Sequence, residues 1–209
     1  WTPKRIASLL KDEPFEDDEG VVVGFTAGRK TDKGSKLLGK IGEGFAPMQL
    51  RLNVRRLQMG ATCIGLSQRA LDMLCERALS REVSGGLLAD KQFVQGYIAD
   101  SYAQLTQFRL FVLYVAWSID KHNDYRKVRK DIAAVKVLMP GVLHDIALRA
   151  IQIHGALGVS NEMPLHGMLL AASVMGLADG PTEVHKLTVA RQVLRSYRPS
   201  DDLWPTSHL

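Results

Sequence analysis

From residue 45 onward the apolar positions recur every three or four residues, the period of helices with one buried face. The first run covers residues 47–81, with Leu50, Val54, Leu57, Ala61, Ile64, Ala70, Leu71, Leu74 and Ala78 in register. Gly60 and Gly65 interrupt it and imply close helix packing, since glycine otherwise lowers helix propensity. A break at Ser84-Gly85-Gly86 precedes a second run, 90–122, carrying Phe93, Ile98, Tyr102, Leu105, Phe108, Val112, Val115 and Ile119. The third run, 124–156, contains Pro140-Gly141, which predicts a kink or a local loosening. After a loop over 155–162, shorter runs follow at 164–177 and 181–197, the last with Val184, Leu187, Val189, Ala190, Val193 and Leu194. Three runs of about thirty residues, each roughly 45 Å long, joined by short loops predict an up-and-down four-helix bundle with an additional C-terminal helix. The fold class is all-α.

The first 44 residues break this pattern. An acidic cluster, 12–20, reads as solvated, and residues 21–26 (Val21 to Thr26) read as a strand whose sheet partners lie elsewhere. Gly39-Lys40-Ile41-Gly42-Glu43-Gly44 lacks Walker spacing and reads as a loop entering the first helix. Residues 1–36 are therefore expected to be a short β/loop remnant, 37–198 the bundle and 199–209 a tail. Because the sequence opens on Trp1, a fragment or processed chain is expected.

At 209 residues, with 46% apolar and 23% charged positions, the composition is that of a globular protein. The formal charge of +5 suits acidic ligands such as phosphate esters but is too small for a nucleic-acid stripe, so the basic run 121–130 reads as a solvated corner. The most apolar stretch, 108–119, is too short to span a membrane and is interrupted by Arg109. Cys63 and Cys75 read as buried free thiols in a reducing compartment, cytoplasm or organelle matrix. Ser207-His208-Leu209 is a weak match to a peroxisomal address. The histidines lack metal-ligand spacing, and no nucleophile elbow is present, so neither a metal nor a covalent nucleophile is expected.

Three polar islands remain beside glycines at helix ends: Arg81, Gln152 and Asp179-Gly180. Glycine admits close backbone approach and arginine matches phosphate oxygens, so together they point to one elongated ligand across the bundle ends. At the third island Gly180 permits a reversal and Pro181 opens the next helix, while Thr182 and Glu183 supply polar groups to its first turn. Local sequence leaves this stretch open between an ordinary interhelical joint and a positioned base.

Residues 56–92, then Gln152-Ile153-His154-Gly155-Ala156-Leu157-Gly158, then Ala178-Asp179-Gly180-Pro181-Thr182-Glu183-Val184-His185 resemble the C-terminal helical domain of acyl-CoA dehydrogenases, with Gly42-Glu43-Gly44-Phe45 resembling its entry. The Ala-Asp-Gly-Pro form is most similar to the branch of family members ten and eleven. The resemblance implies FAD-dependent α,β-dehydrogenation of an acyl-CoA thioester, with Asp179 in the place of the family's usual catalytic Glu. An alternative base position, just before the arginine matched by Arg56, holds Arg55.

By the same resemblance Arg81, Gln92, Gln152, Gly155, Ala156, Pro181 and Glu183 would touch FAD, the Arg81 segment serving a neighbouring subunit. Val83 and Ser84, Ala156 and Pro181 depart from the usual residues at their positions. Asn53, Arg56 and Gly180 would contact substrate. The implied partners are acyl-CoA, an electron acceptor such as electron transfer flavoprotein, and further copies of the chain or a partner chain bringing the N-terminal domains, without which this chain would be inactive. The rival reading is a non-catalytic assembly or partner-binding module.

Overall fold

The computed structural model describes residues 45–198. The strand expected at 21–26, the 39–44 loop and the Ser207-His208-Leu209 tail lie outside them. The chain divides into two compact units, Trp1–Leu52 and Asn53–Leu209. Of the first, only the opening turns of helix α1 fall among the described residues.

Three long helices dominate: α1 (Phe45–Ser80), α2 (Gln92–His122) and α3 (Tyr125–His154). A four-residue helix α4 (Ala156–Val159) then leads to α5 (Leu165–Leu177) and α6 (Thr182–Leu194). Helix positions follow the periodicity closely, but two small elements do not announce themselves in it. Strands β1 (Glu82–Val83) and β2 (Gly86–Leu87) pair antiparallel across Ser84-Gly85, both at positive φ (52° and 75°), the conformation two-residue hairpin loops favour. The expected loop after Gly155 contains α4.

Helix α3 is the centre of the second unit, packed by α2, α5 and α6. Its buried residues run Val128, Ile132, Val135, Met139, Leu143, Ile146, Ala150 and beyond, wider than a single stripe because neighbours cover several faces. α1 turns Cys63, Ala70, Leu71, Leu74 and Ala78 into this core. At Gly60 an added Cβ would stand 2.9 Å from Val135 Cγ1, so the close approach expected there is present. At Gly65 it would meet nothing within 4 Å, and the expectation of close packing fails.

Pro140 does not divide α3, which runs unbroken through it. The ring removes one N–H from the helical ladder, and the Cys63 thiol donates to the adjacent Met139 carbonyl at 3.2 Å. Burial and the apolar surroundings push the Cys63 thiol up to about 12, making it inert. Cys75 is only half-buried, against expectation. The corner between α2 and α3 is two residues long. Asn123 takes a left-handed φ of 45° and Asp124 caps α3 by accepting from the Arg126 N–H at 2.9 Å, leaving the basic residues around it mostly exposed.

Several apolar residues, some of them in the helical pattern, are outside this core. Phe93, Tyr102, Leu110, Leu113 and Trp117 on α2 are exposed, as are Val184, Leu187, Val193 and Leu194 on α6, where His185 is the one fully buried residue. The period of α6 marks an apolar face correctly, but no described element covers most of it.

Candidate active site

The Asp179 turn is built from the end of α5. Helices leave their last four carbonyls without helical partners, and here three are closed by different donors. The Ala178 N–H reaches Val174 O at 2.8 Å, the Lys136 ammonium reaches Met175 O, and the Thr182 hydroxyl reaches Gly176 O at 3.1 Å. Thr182 thus serves the preceding helix rather than the first turn of its own. Pro181 lies just before α6 with φ −58° and makes no side-chain cap.

Asp179 itself adopts φ +55° and Gly180 φ +101°. Asp is among the few non-glycine residues that enter the left-handed region readily. A Cβ at Gly180 would lie 3.0 Å from His185 Nε2, so the position needs glycine for both conformation and space.

Three side-chain nitrogens then converge on the Asp179 carbonyl: Arg56 Nε at 3.3 Å, Arg56 Nη2 at 3.2 Å and His185 Nε2 at 3.2 Å. A carbonyl only accepts, so His185 carries its proton on Nε2. Arg56 also donates to Asn53 Oδ1 at 3.1 Å. The carboxylate is only 15% exposed and accepts from Arg55 Nε at 2.6 Å; Arg55 is 57% exposed. Arg55, which the resemblance implied to stand at an alternative base position, is therefore in direct contact with Asp179.

His185 titrates below the ordinary histidine range, first because burial penalises its cation and further because Arg56 and Lys136 repel it; the Asp179 contacts oppose this. The neutral ring therefore contributes stability above the unfolded-state value of about 6.5, which is lost as pH falls through the depressed folded value. Thermal melts from pH 7.5 to pH 5 are expected to show a steeper loss for the wild type than for His185→Gln. Parallel curves would contradict the assignment.

The other predicted residues lie elsewhere. Arg81 is exposed at the root of the β-hairpin, its carbonyl accepting from Leu88 N–H at 2.8 Å, and Gln92 is exposed at the start of α2. Tyr97 donates to Gln152 Oε1 at 3.0 Å, and Gln152 is exposed near the end of α3. Gly155 follows with φ 65° and ψ −140°, a glycine conformation, and Ala156 is exposed beside it. Glu183 and Pro181 are exposed on the Asp179 side.

The three islands do not gather at one end. Arg56 and Arg81 bracket about 36 Å of α1, and Lys136, which reaches the Asp179 turn, is about 24 Å along α3 from Gln152. One contiguous ligand across the bundle ends, as the order of residues implied, is not the arrangement. There are two clusters, one around Asp179 and one around the Arg81 hairpin and Gln152.

The second cluster offers cationic and amide donors that no described residue uses. The guanidinium of Arg81 has no partner among the described residues. Arg77 Nε, one turn earlier, is buried and likewise unpartnered, while Gln152 keeps two free donors beside a glycine turn. Among the described residues no group of three or more His, Cys, Asp or Glu side chains is placed to hold a metal ion. No described helix is long and apolar enough to cross a membrane.

Comparison with known proteins gives the site its context. Residues 42–194 match the family model "Acyl-CoA dehydrogenase, C-terminal domain". The chain is 36% identical over 167 residues to (R)-benzylsuccinyl-CoA dehydrogenase of Thauera aromatica, covering 78% of this chain and 40% of that protein. It is 39% identical over 159 residues to acyl-CoA dehydrogenase family member 11 of Rattus norvegicus, covering 76% and 20% respectively. Among solved structures, butyryl-CoA dehydrogenase of Megasphaera elsdenii superposes with a TM-score of 0.71 at 25% identity, over 76% of this chain and 41% of that one. The chain thus spans well under half the length of these relatives. With a match across its whole bundle and these relatives, the chain belongs to the acyl-CoA dehydrogenase family, whose C-terminal helical domain it contains.

Proposed function

We propose that this chain is the C-terminal part of an acyl-CoA dehydrogenase in which Asp179 removes the α-proton of an acyl-CoA thioester. The observation that carries the proposal is the construction of the Asp179 turn: a mostly buried carboxylate on a left-handed residue, its carbonyl fixed by Arg56 and His185. An ordinary interhelical joint needs no such investment. A thioester α-C–H is only weakly acidic, so the base must be held still and out of bulk water, and both conditions hold at Asp179. Arg55 covers the carboxylate from the exposed side, and an entering thioester would take its place. Aspartate is one methylene shorter than glutamate, so the acyl chain must come nearer the turn than a glutamate would require.

Bound FAD would supply the acceptor for hydride leaving the β-carbon. In the same reading Arg81, Gln92, Gln152, Gly155 and Ala156 would hold one FAD at the far end of the bundle, and Pro181 and Glu183 would lie near a second FAD on the Asp179 side. Asn53, Arg56 and Gly180 shape the substrate side. The distance between the two clusters supports the reading that the Arg81 set serves the flavin of a neighbouring copy. Exposed apolar residues on α2, α5 and α6 are consistent with such an assembly. The N-terminal domains, on the same chain or a partner, would complete the pocket, and reduced flavin would pass electrons to an acceptor such as electron transfer flavoprotein.

The test is anaerobic addition of acyl-CoA thioesters to the full-length protein, followed by visible absorption. Bleaching of an oxidised flavin spectrum by at least one saturated acyl-CoA is expected. Full-length protein that neither carries nor takes up flavin would favour the non-catalytic module instead.

A further inference from the structure

The Asp179 turn holds more positive charge than it cancels. Three cationic side chains touch it: Arg55 Nε donates to Asp179 Oδ2 at 2.6 Å, Arg56 donates through two nitrogens to Asp179 O, and the Lys136 ammonium donates to Met175 O. Asp179 supplies the only carboxylate in these contacts. Glu183, exposed in the first turn of α6, makes no ion pair with any of them among the described residues. Carbonyls satisfy the N–H groups of Arg56 and Lys136 but do not cancel their charge. A ligand seated on this turn therefore gains by bringing a negative charge of its own.

Of the three cations, Arg55 is the one free to change partners. Lys136 is 0% exposed, and Arg56 is half-buried with Asn53 Oδ1 as a further acceptor. Arg55 is largely exposed and is held through Nε alone; its Nη1 and Nη2 have no partner among the described residues. Two such nitrogens side by side match the two oxygens of a carboxylate.

Proton abstraction requires that change of partner. Oδ2 is occupied by Arg55 and the Asp179 carboxylate is mostly buried, so an α-carbon approaching to about 3–3.5 Å must move Arg55 aside. A neutral acyl chain would offer the displaced guanidinium no counter-ion. An acyl chain with its own carboxylate would exchange one carboxylate for another on the same cation. The phosphates of CoA are the other anions available, but the pantetheine arm holds them away from the reacting carbons.

We propose that Arg55 is a specificity-determining residue and that the acyl group taken by this site carries its own carboxylate, a few bonds from the α-carbon. On entry the guanidinium passes from Asp179 Oδ2 to that carboxylate, which anchors the acyl chain and frees the base in one movement. The short separation follows from the contact: a guanidinium that touches the base can reach an anion only about its own width away. This inference deepens the reading of Asp179 as the base and rests on it.

The test measures kcat/KM of the full-length, flavin-loaded protein with succinyl-, glutaryl- and adipyl-CoA against butyryl-, pentanoyl- and hexanoyl-CoA. The same acyl groups are also supplied as pantetheine thioesters, which lack the CoA phosphates. Wild type is expected to favour the carboxylated member of at least one pair by about 10- to 10²-fold, the scale of a charge-assisted hydrogen-bonded pair. Arg55→Met is expected to bring that ratio to about one: the carboxylated thioester loses its anchor, while the neutral one gains because nothing has to leave the base. Arg55→Lys keeps the charge without the fork and is expected to give an intermediate ratio. Arg55 is exposed, so both variants are expected to fold.

A wild type that favours the neutral member of every pair, or turns over none of the carboxylated thioesters, would overturn the proposal. So would an unchanged ratio in Arg55→Met. A loss in Arg55→Met that is equal for carboxylated and neutral CoA thioesters, and absent with pantetheine thioesters, would place Arg55 on the CoA phosphates instead. Inactive Asp179→Asn beside a wild type without the preference would overturn the Arg55 assignment alone. Full activity in Asp179→Asn would overturn the base reading and this inference with it.

Discussion

Asp179→Asn is expected to reduce turnover on the order of 10⁴-fold while leaving flavin content unchanged, the upper range for loss of a positioned general base. Asparagine has the same shape and accepts the left-handed φ of 55° that the turn imposes. The contacts that fix the turn run to the backbone carbonyl and survive the change. What is lost is the carboxylate and its pair with Arg55, which is largely exposed and worth about 1 kcal/mol or less. Stability should therefore barely move, and steady-state rates with flavin absorbance read the two effects separately. Undiminished rates would place the base elsewhere.

Arg56→Met is expected to produce the second-largest effect by a different route. It removes two of the three donors to the Asp179 carbonyl and the bond to Asn53. His185 still satisfies the carbonyl, so the stability cost should stay at about 2–3 kcal/mol, the scale of one or two charge-assisted bonds. The larger consequence is a turn free to shift, and a displacement of about 1 Å is enough for roughly 10²-fold in rate. If Arg56 acts through the turn, kcat falls and KM changes little. A raised KM with kcat kept would assign it to substrate binding alone. Arg56→Lys should not restore the rate, because one ammonium cannot present two nitrogens to the same carbonyl in a fixed fork.

Much of this architecture was legible in the residue pattern. The apolar period placed the five longer helices within a few residues of their observed ends, and the Gly180 and Pro181 pair marked the turn. What the pattern missed has physical causes. The contact between Arg55 and Asp179 joins residues 124 apart in sequence, and no local rule pairs them. That Thr182 would turn back to Gly176 O depends on how tightly the chain reverses, which follows from the left-handed φ of Asp179 as well as Gly180.

The exposed side chains of α6 read as core because a face that another element or copy would cover carries the same period as a core face. Lys136 did leave a trace. Between Ile132 and Leu143 it is the only charged residue, and a lone lysine in so apolar a stretch asks for a buried partner. The separation of the polar islands was also implicit, since in an up-and-down bundle the ends of the first and third runs, with Arg81 and Gln152, lie opposite the end of the fourth, with Asp179.

The account turns on proton abstraction at Asp179, and exchange at the substrate's α-carbon measures that step without requiring turnover. Full-length, flavin-loaded protein would be incubated anaerobically with an acyl-CoA in deuterated water, and deuterium at the α-carbon followed by NMR. Wild type is expected to incorporate deuterium there and Asp179→Asn to fail to do so, with flavin retained in both. Exchange at the wild-type rate in Asp179→Asn would contradict the account.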